Sequence, residues 1–351
     1  MDRPVSLVTG ACGFMGTHMV EILHAAGHQV RATDLAAAHE RDDREKGRFP
    51  SVIDRLGVEF VPSDMTRPET LEPLLKGVDY VFHIAAVFSY SAPWEVLRKV
   101  NADGTVAMLE MLRGNKRLRR LVLWGAGGVY GLPSWRKEKV LDESMGPLPV
   151  NNYLRSKWLA EFAVMEEGRK HGLSWAIMRP TTVYGPRAVY GSGPMIMQAA
   201  GMKVAAMPKN MTARIPWVHV RDVCSAALHL AVTPGVPSDI YNLNDDTQMG
   251  TSEFFKYVAG LTGHKYVELP AVPLIQMKPA IRAFAGAMQW IFGQLGMPSP
   301  VEADTVDYVG EDWAYSNDRL KATGYKFIYP DARDGLRDTI AWYRENGWMK
   351  D

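Results

Sequence analysis

Short apolar runs alternate with stretches of helical spacing through the first half of the chain. VSLVTG (5–10), QVRATD (29–34), VEFVPSD (58–64), VDYVFHIAA (78–86), LRRLVLWG (118–125) and LSWAIMRP (173–180) read as strands. Residues 14–28, 93–112 and 150–168 place apolar positions at helical intervals and read as helices. Strands apolar on both faces, separated by helices, predict an α/β fold with a doubly wound parallel sheet. The charged stretch 41–51 reads as an exposed loop.

Beyond Pro180 the regular alternation is lost, and Pro, Gly, Met and aromatic residues become dense. Residues 1–180, rejoined by a helix and strand within 217–243, are expected to form one domain. Residues 181–216 and 244–351 are expected to form a smaller, mixed substrate lobe, closed by an amphipathic helix over 331–346.

Composition narrows the class. A net charge of +1 over 351 residues leaves no electrostatic footprint for nucleic acid. Two cysteines, Cys12 and Cys224, cannot build a disulfide framework. The first strand starts almost at once, so no leader peptide is expected, and no long apolar run suggests a membrane span. A cytoplasmic protein without a metal site is expected. A peripheral membrane contact stays open, as does a homodimer.

The first strand runs into TGACGFMG (9–16) and then directly into the first helix. Gly10, Gly13 and Gly16 permit a tight turn in which a pyrophosphate meets backbone N–H groups, with Cys12, Phe14 and Met15 beside it. Asp34 ends the second strand, where a carboxylate holds a ribose diol and repels a 2′-phosphate. This pattern points to a Rossmann-type site for NAD. Asp64, ending the third strand, is a candidate for the adenine edge. His83 lies in a buried strand and reads as structural, and Cys12 as a small filler within the loop.

Tyr153 and Lys157 lie four residues apart on one helical face. A phenol titrates near 10 and needs a neighbouring cation to work as an acid or base near neutrality. An ammonium at this spacing, with an oxidised nicotinamide nearby, supplies that cation.

With these motifs the chain resembles the extended short-chain dehydrogenase/reductases, the NAD-dependent epimerase/dehydratase group. Further matching stretches are SDM (63–65), HIAA (83–86), Asn101, GGVYG (127–131), RPTTVYGP (179–186) and WVHVRDV (217–223). Residues 88–105 and the C-terminal part look most like the branch near 3β-hydroxysteroid dehydrogenases. The resemblance implies that Met65, Ala85, Ala86, Pro180 and Val183 line the dinucleotide groove. It also implies that Asn101 supports the neighbouring helix and that Lys157 holds the nicotinamide ribose.

One position departs from the family. Members usually carry Ser or Thr three residues before the valine of VYG; here that residue is Ala126, preceded by Gly125. Loss of one such donor typically costs about 100- to 1,000-fold in rate. Three readings follow. Another hydroxyl fills the gap, from Ser89, Ser91, Thr181 or Thr182. Alternatively, Gly127, Gly128 and Ala126 make room for a bulky substrate. In the third reading the protein binds NAD without ordinary redox turnover.

Residues 269–296 and 188–208 are apolar and Met-rich, and Arg214 is the best cation for a diphosphate. The balance points to a hydrophobic, steroid- or terpenoid-like secondary alcohol or ketone as the small-molecule substrate. A nucleotide-sugar epimerase or dehydratase is the alternative.

Overall fold

The computed structural model describes residues 3–41, 47–295 and 303–349. Its strands are β1 (Val5–Thr9), β2 (Gln29–Thr33), β3 (Glu59–Phe60), β4 (Tyr80–His83), β5 (Arg120–Trp124) and β6 (Trp175–Pro180). There follow β7 (Thr182–Tyr184), β8 (Val204–Pro208), β9 (Trp217–His219), β10 (Ile240–Leu243) and β11 (Lys265–Leu269). Seven of them form one parallel sheet in the order β10-β6-β5-β4-β1-β2-β3. This is a Rossmann-like α/β fold. The strand order reverses beside β1, and ligands of such sheets bind at that point, beyond the carboxyl ends of the strands.

Alternation along each strand sends successive side chains to opposite faces. On one face Val8, Val122 and Met178 pack against the helices Phe14–Ala25 and Val220–Val232. On the other, Leu7, Val81 and Leu123 pack against Gly104–Leu112 and Asn152–His171. Each aliphatic side chain so buried contributes about 1.5–3 kcal/mol before conformational entropy is counted.

The helix expected over 93–112 forms, but its middle, Arg98–Asp103, widens into a π-helical turn. Asn101 sits in that turn. The strand expected over 58–64 shrinks to β3, because Asp64 turns back onto Arg67. The expected exposed loop over 41–51 is also corrected. Its residues 42–46 lie outside the described residues, but Gly47, Phe49 and Pro50 are buried. The Phe49 N–H donates to the Cys12 carbonyl at 2.7 Å, and its ring stacks 5.9 Å from Trp348.

Beyond β6, two small parallel pairs form, β7 with β9 and β8 with β11. The closing helix, Ala332–Glu345, is capped by the Asp331 carboxylate and packs Leu336, Ile340 and Tyr343 with Tyr184 and Trp217. The apolar stretch 269–296 forms the helix Leu274–Gln294; Gly296 lies outside the described residues. Lys278 pairs with Glu311 and Arg282 with Asp304 and Asp307, while Phe284 and Trp290 stand two-thirds exposed.

Candidate active site

The carboxyl ends of β1, β2, β4, β5 and β6 open on a cavity of about 690 Å³. At one end Gly10, Gly13, Phe14, Met15 and Gly16 form its floor. Gly10 has a φ of +68°, and a side-chain carbon there would come within 2.9 Å of the Ala85 backbone. The helix that follows has no side-chain cap and no acidic residue in its first turn. Its N-terminus therefore keeps its positive pole for an anion.

Asp34, Asp64, Met65, Ala85 and Ala86 continue this wall, with Pro180 and Val183 opposite. Thr9 fixes the alanines: its Oγ1 accepts the N–H groups of Ile84 and Ala85, each at 3.1 Å. His83 bonds Thr9 through Nδ1 at 2.8 Å and Thr105 through Nε2 at 2.9 Å. Burial, with Lys157 nearby, pushes this imidazole down to about 3, so it stays neutral. Cys12 stands behind the wall, fully buried, and donates its N–H to Asp34 Oδ2 at 3.1 Å. Asn101 is also outside the lining. It brackets the Val87 backbone and donates to Ser156 Oγ at 2.9 Å, which ties the π-helical turn to the helix Asn152–His171.

Pattern reading missed Arg48, which lines the cavity and donates to Asp34 Oδ2 at 2.8 Å. The Asp34 carboxylate thus already carries a counter-charge. Its signal was hidden in the charged run, which looks solvated until Phe49 anchors it.

Farther along, Tyr153 and Lys157 project from the helix Asn152–His171 into the same cavity. Asn151 starts this helix by accepting the Leu154 N–H at 2.9 Å. Tyr153 is buried, and the edge of Phe88 packs against it at 5.0 Å. Burial holds its phenol well above the ordinary value, with Tyr90, Tyr190 and Glu161 adding to the effect. Burial pushes the Lys157 ammonium down to about 8, against the attraction of Glu161. Among the described residues this ammonium, only 4% exposed, has no hydrogen-bonded partner.

Glu161, one turn farther on the same face, is a second residue that pattern reading missed. It is fully buried and pairs with Arg179 at 2.7 Å. Its Oε1 accepts the Ala126 N–H at 3.4 Å, so the carboxylate lies directly beneath the end of β5. The spacing Tyr153–Lys157–Glu161 was the available signal.

At the substrate end Ala126, Gly127, Gly128, Thr181, Thr182 and Arg214 line the cavity. Ser89 and Ser91 do not: they bond each other at 3.1 Å within their own turn. Thr181 gives its hydroxyl to the Leu243 carbonyl at 3.0 Å. Arg214 is clamped by both oxygens of Asp312 at 2.8 Å. Six aromatic side chains, Phe88, Tyr90, Tyr190, Tyr308, Trp313 and Tyr315, share the lining with aliphatic residues such as Met195, Met211 and Ile215 and with the polar Thr251 and Glu311.

The model of the NAD-dependent epimerase/dehydratase family matches residues 6–243, more than half of the chain. The chain belongs to this family. Among its relatives is a ceramide reductase of Caulobacter vibrioides, 26% identical over 99% of this chain and 96% of that protein. A mouse sterol-4-alpha-carboxylate 3-dehydrogenase (decarboxylating) is 28% identical over 74% of this chain and 68% of its own. The NAD complex of the UDP-glucose 4-epimerase from Thermus thermophilus shares the fold, with a TM-score of 0.71 and 24% identity. That alignment covers 97% of this chain and 99% of the epimerase.

NAD is the cofactor of the family, and this member's cavity fits it. The uncapped helix start suits the pyrophosphate, Asp34 the adenosine ribose, and the buried ammonium of Lys157 the nicotinamide ribose. Among the described residues no group of acidic, His or Cys side chains is arranged to hold a metal, and no helix is long and apolar enough to cross a membrane.

Proposed function

We propose that the protein is an NAD-dependent oxidoreductase acting on a secondary alcohol or ketone within an apolar, lipid-like molecule of steroid or terpenoid character. One observation carries this reading. The Tyr153–Lys157 pair opens onto a pocket end walled by aromatic rings, where the cation Arg214 is held by Asp312. A diphosphate would have to break that bidentate pair, whereas an apolar skeleton meets Phe88, Tyr190 and Trp313 directly. The names of the ceramide and sterol relatives support the same substrate class.

In this proposal residues 1–180 and 217–243 hold the cofactor, and 181–216 with 244–351 hold the substrate. Bound NAD supplies the hydride-accepting carbon and, when oxidised, a positive charge. Tyr153 gives its phenolic proton to the carbonyl oxygen in reduction and recovers it in oxidation. Lys157 holds the ribose hydroxyls and favours the phenolate by its charge. Asp34 takes the adenosine ribose, and the wall of Ala85 and Ala86 excludes water from the cofactor face.

The test is nicotinamide absorbance with NAD⁺ and a panel of hydroxysteroids, other apolar secondary alcohols and nucleotide sugars. Turnover of an apolar alcohol is expected. Tyr153→Phe should lower it by about 100- to 10,000-fold with NAD affinity nearly unchanged. Retained turnover in that variant sinks the reading. Stabilisation by a nucleotide sugar with no response to any apolar alcohol would favour the epimerase alternative.

A further inference from the structure

Two phenols line the same cavity as Ala126, the position where the family's usual hydroxyl is missing. Tyr90 packs on the buried cluster that contains Ala126 and Tyr153. Its ring meets that of Tyr153 edge-on at 5.8 Å and stacks on that of Tyr308 at 5.7 Å. The Tyr90 and Tyr308 phenols are hydrogen-bonded to each other, and both line the cavity. Asn151 Nδ2 donates to the Tyr308 oxygen at 3.2 Å. The same asparagine caps the helix that carries Tyr153. One side chain therefore sets the position of the acid/base tyrosine and of the phenol pair together.

Of the other hydroxyls expected to fill the gap, three are poorly placed, and Thr182, which lines the cavity, is the rival donor. Ser89 and Ser91 are outside the cavity, and Thr181 already donates to Leu243. Burial pushes the Tyr308 phenol well above its ordinary value, so it keeps its proton and holds the hydrogen bond with Tyr90 at any working pH.

Resting on the oxidoreductase reading, we propose that the Tyr90–Tyr308 hydroxyl pair donates the hydrogen bond to the substrate's reacting oxygen that a serine or threonine at position 126 would otherwise donate. The pair transfers no proton; that step stays with Tyr153. A donor preorganised toward developing negative charge contributes chiefly in the transition state. Its loss therefore lowers kcat and leaves KM nearly unchanged. The arrangement also accounts for a small residue at 126, since the donor then comes on a longer side chain.

The experiment uses the full chain, with NAD⁺ and a 3β-hydroxysteroid, and NADH and a long-chain aliphatic ketone, as probes. Tyr308→Phe, Tyr90→Phe and the double variant are compared, each with and without Ala126→Ser. NAD affinity and thermal midpoint are followed throughout, and the single variants serve should the double variant fail to fold. The double variant is expected to lose about 100- to 1,000-fold in kcat, with KM within about twofold and NAD affinity unchanged. Adding Ala126→Ser should recover at least about tenfold of that loss, which a merely structural defect would not allow.

A double variant within about threefold of the parent, while Tyr153→Phe is inactive, overturns the proposal and leaves the reading beneath it standing. A comparable loss in Thr182→Val with no loss in the tyrosine variants also overturns it, by moving the donor to Thr182. An active Tyr153→Phe, or a parent protein silent with both probes, overturns the reading and the proposal together.

Discussion

A side-chain carbon on Gly125 would lie 2.2 Å from Oε1 of Glu161 and 2.8 Å from the Met178 carbonyl. The glycine is there because a buried carboxylate already fills the space that a serine would need. Gly125→Ser is accordingly expected to cost roughly 1–3 kcal/mol of stability by overpacking. Ala126→Ser, whose residue lines the cavity, should leave the thermal midpoint close to the parent. Thermal unfolding of both variants checks this, and equal destabilisation would refute the packing account.

Glu161 and Arg179 form an ion pair with almost no exposure, and the guanidinium also lies 4.6 Å from the Tyr130 ring centroid. Removal of one partner leaves a buried charge alone. Glu161→Gln should therefore lower stability by about 3–5 kcal/mol in urea unfolding. Replacing both residues by apolar ones of similar size should cost less than that single change. If the double replacement proves worse than Glu161→Gln, the pair holds the fold by more than charge compensation.

The Lys157 ammonium titrates near 8 in the folded protein against 10.5 ordinarily. Between those values the unfolded chain binds more protons than the native one, so this group's contribution to stability rises with pH. The gain is complete above the unfolded value and is lost as pH falls through about 8. Lys157→Met should abolish this slope, seen as a smaller stability difference between about pH 8 and 9.5 in denaturant titrations. An unchanged slope would mean that Lys157 is not the titrating group.

Arg48 neutralises the carboxylate that would otherwise repel a 2′-phosphate. Arg48→Ala should therefore raise the Kd for NADP relative to that for NAD by about tenfold, or ~1.4 kcal/mol. Fluorescence titration of both dinucleotides reads this ratio directly. A ratio unmoved by the substitution would leave Asp34 alone in charge of selectivity.

The sheet was legible because apolar runs separated by helical spacing leave a chain little else to build. That the glycine loop, Asp34, Tyr153 and Lys157 would line one cavity was legible because local spacing sets where each stands at the strand and helix ends. Arg48 was hidden for the opposite reason: a cation in a charged run reads as solvated, and only the Phe49 contacts with Cys12 and Trp348 fold it inward. Tyr308 lies 155 residues beyond Tyr153 in sequence, and nothing local relates the two before Asn151 bridges them. Ser89 and Ser91 follow the fourth strand as expected, but their turn bonds within itself and leaves the cavity wall to Tyr90.

Tyr315 donates to the Gly127 carbonyl at 3.1 Å, and Asn151 reaches Tyr308. These contacts make residues 127–151 and 305–315 two halves of one interlocking part, although they are far apart in the gene. A chimera that exchanged only the C-terminal third between relatives would separate the halves. Recombination that aims to transplant substrate preference must move both stretches as a unit, and a crossover between them is expected to keep dinucleotide affinity while losing the pocket.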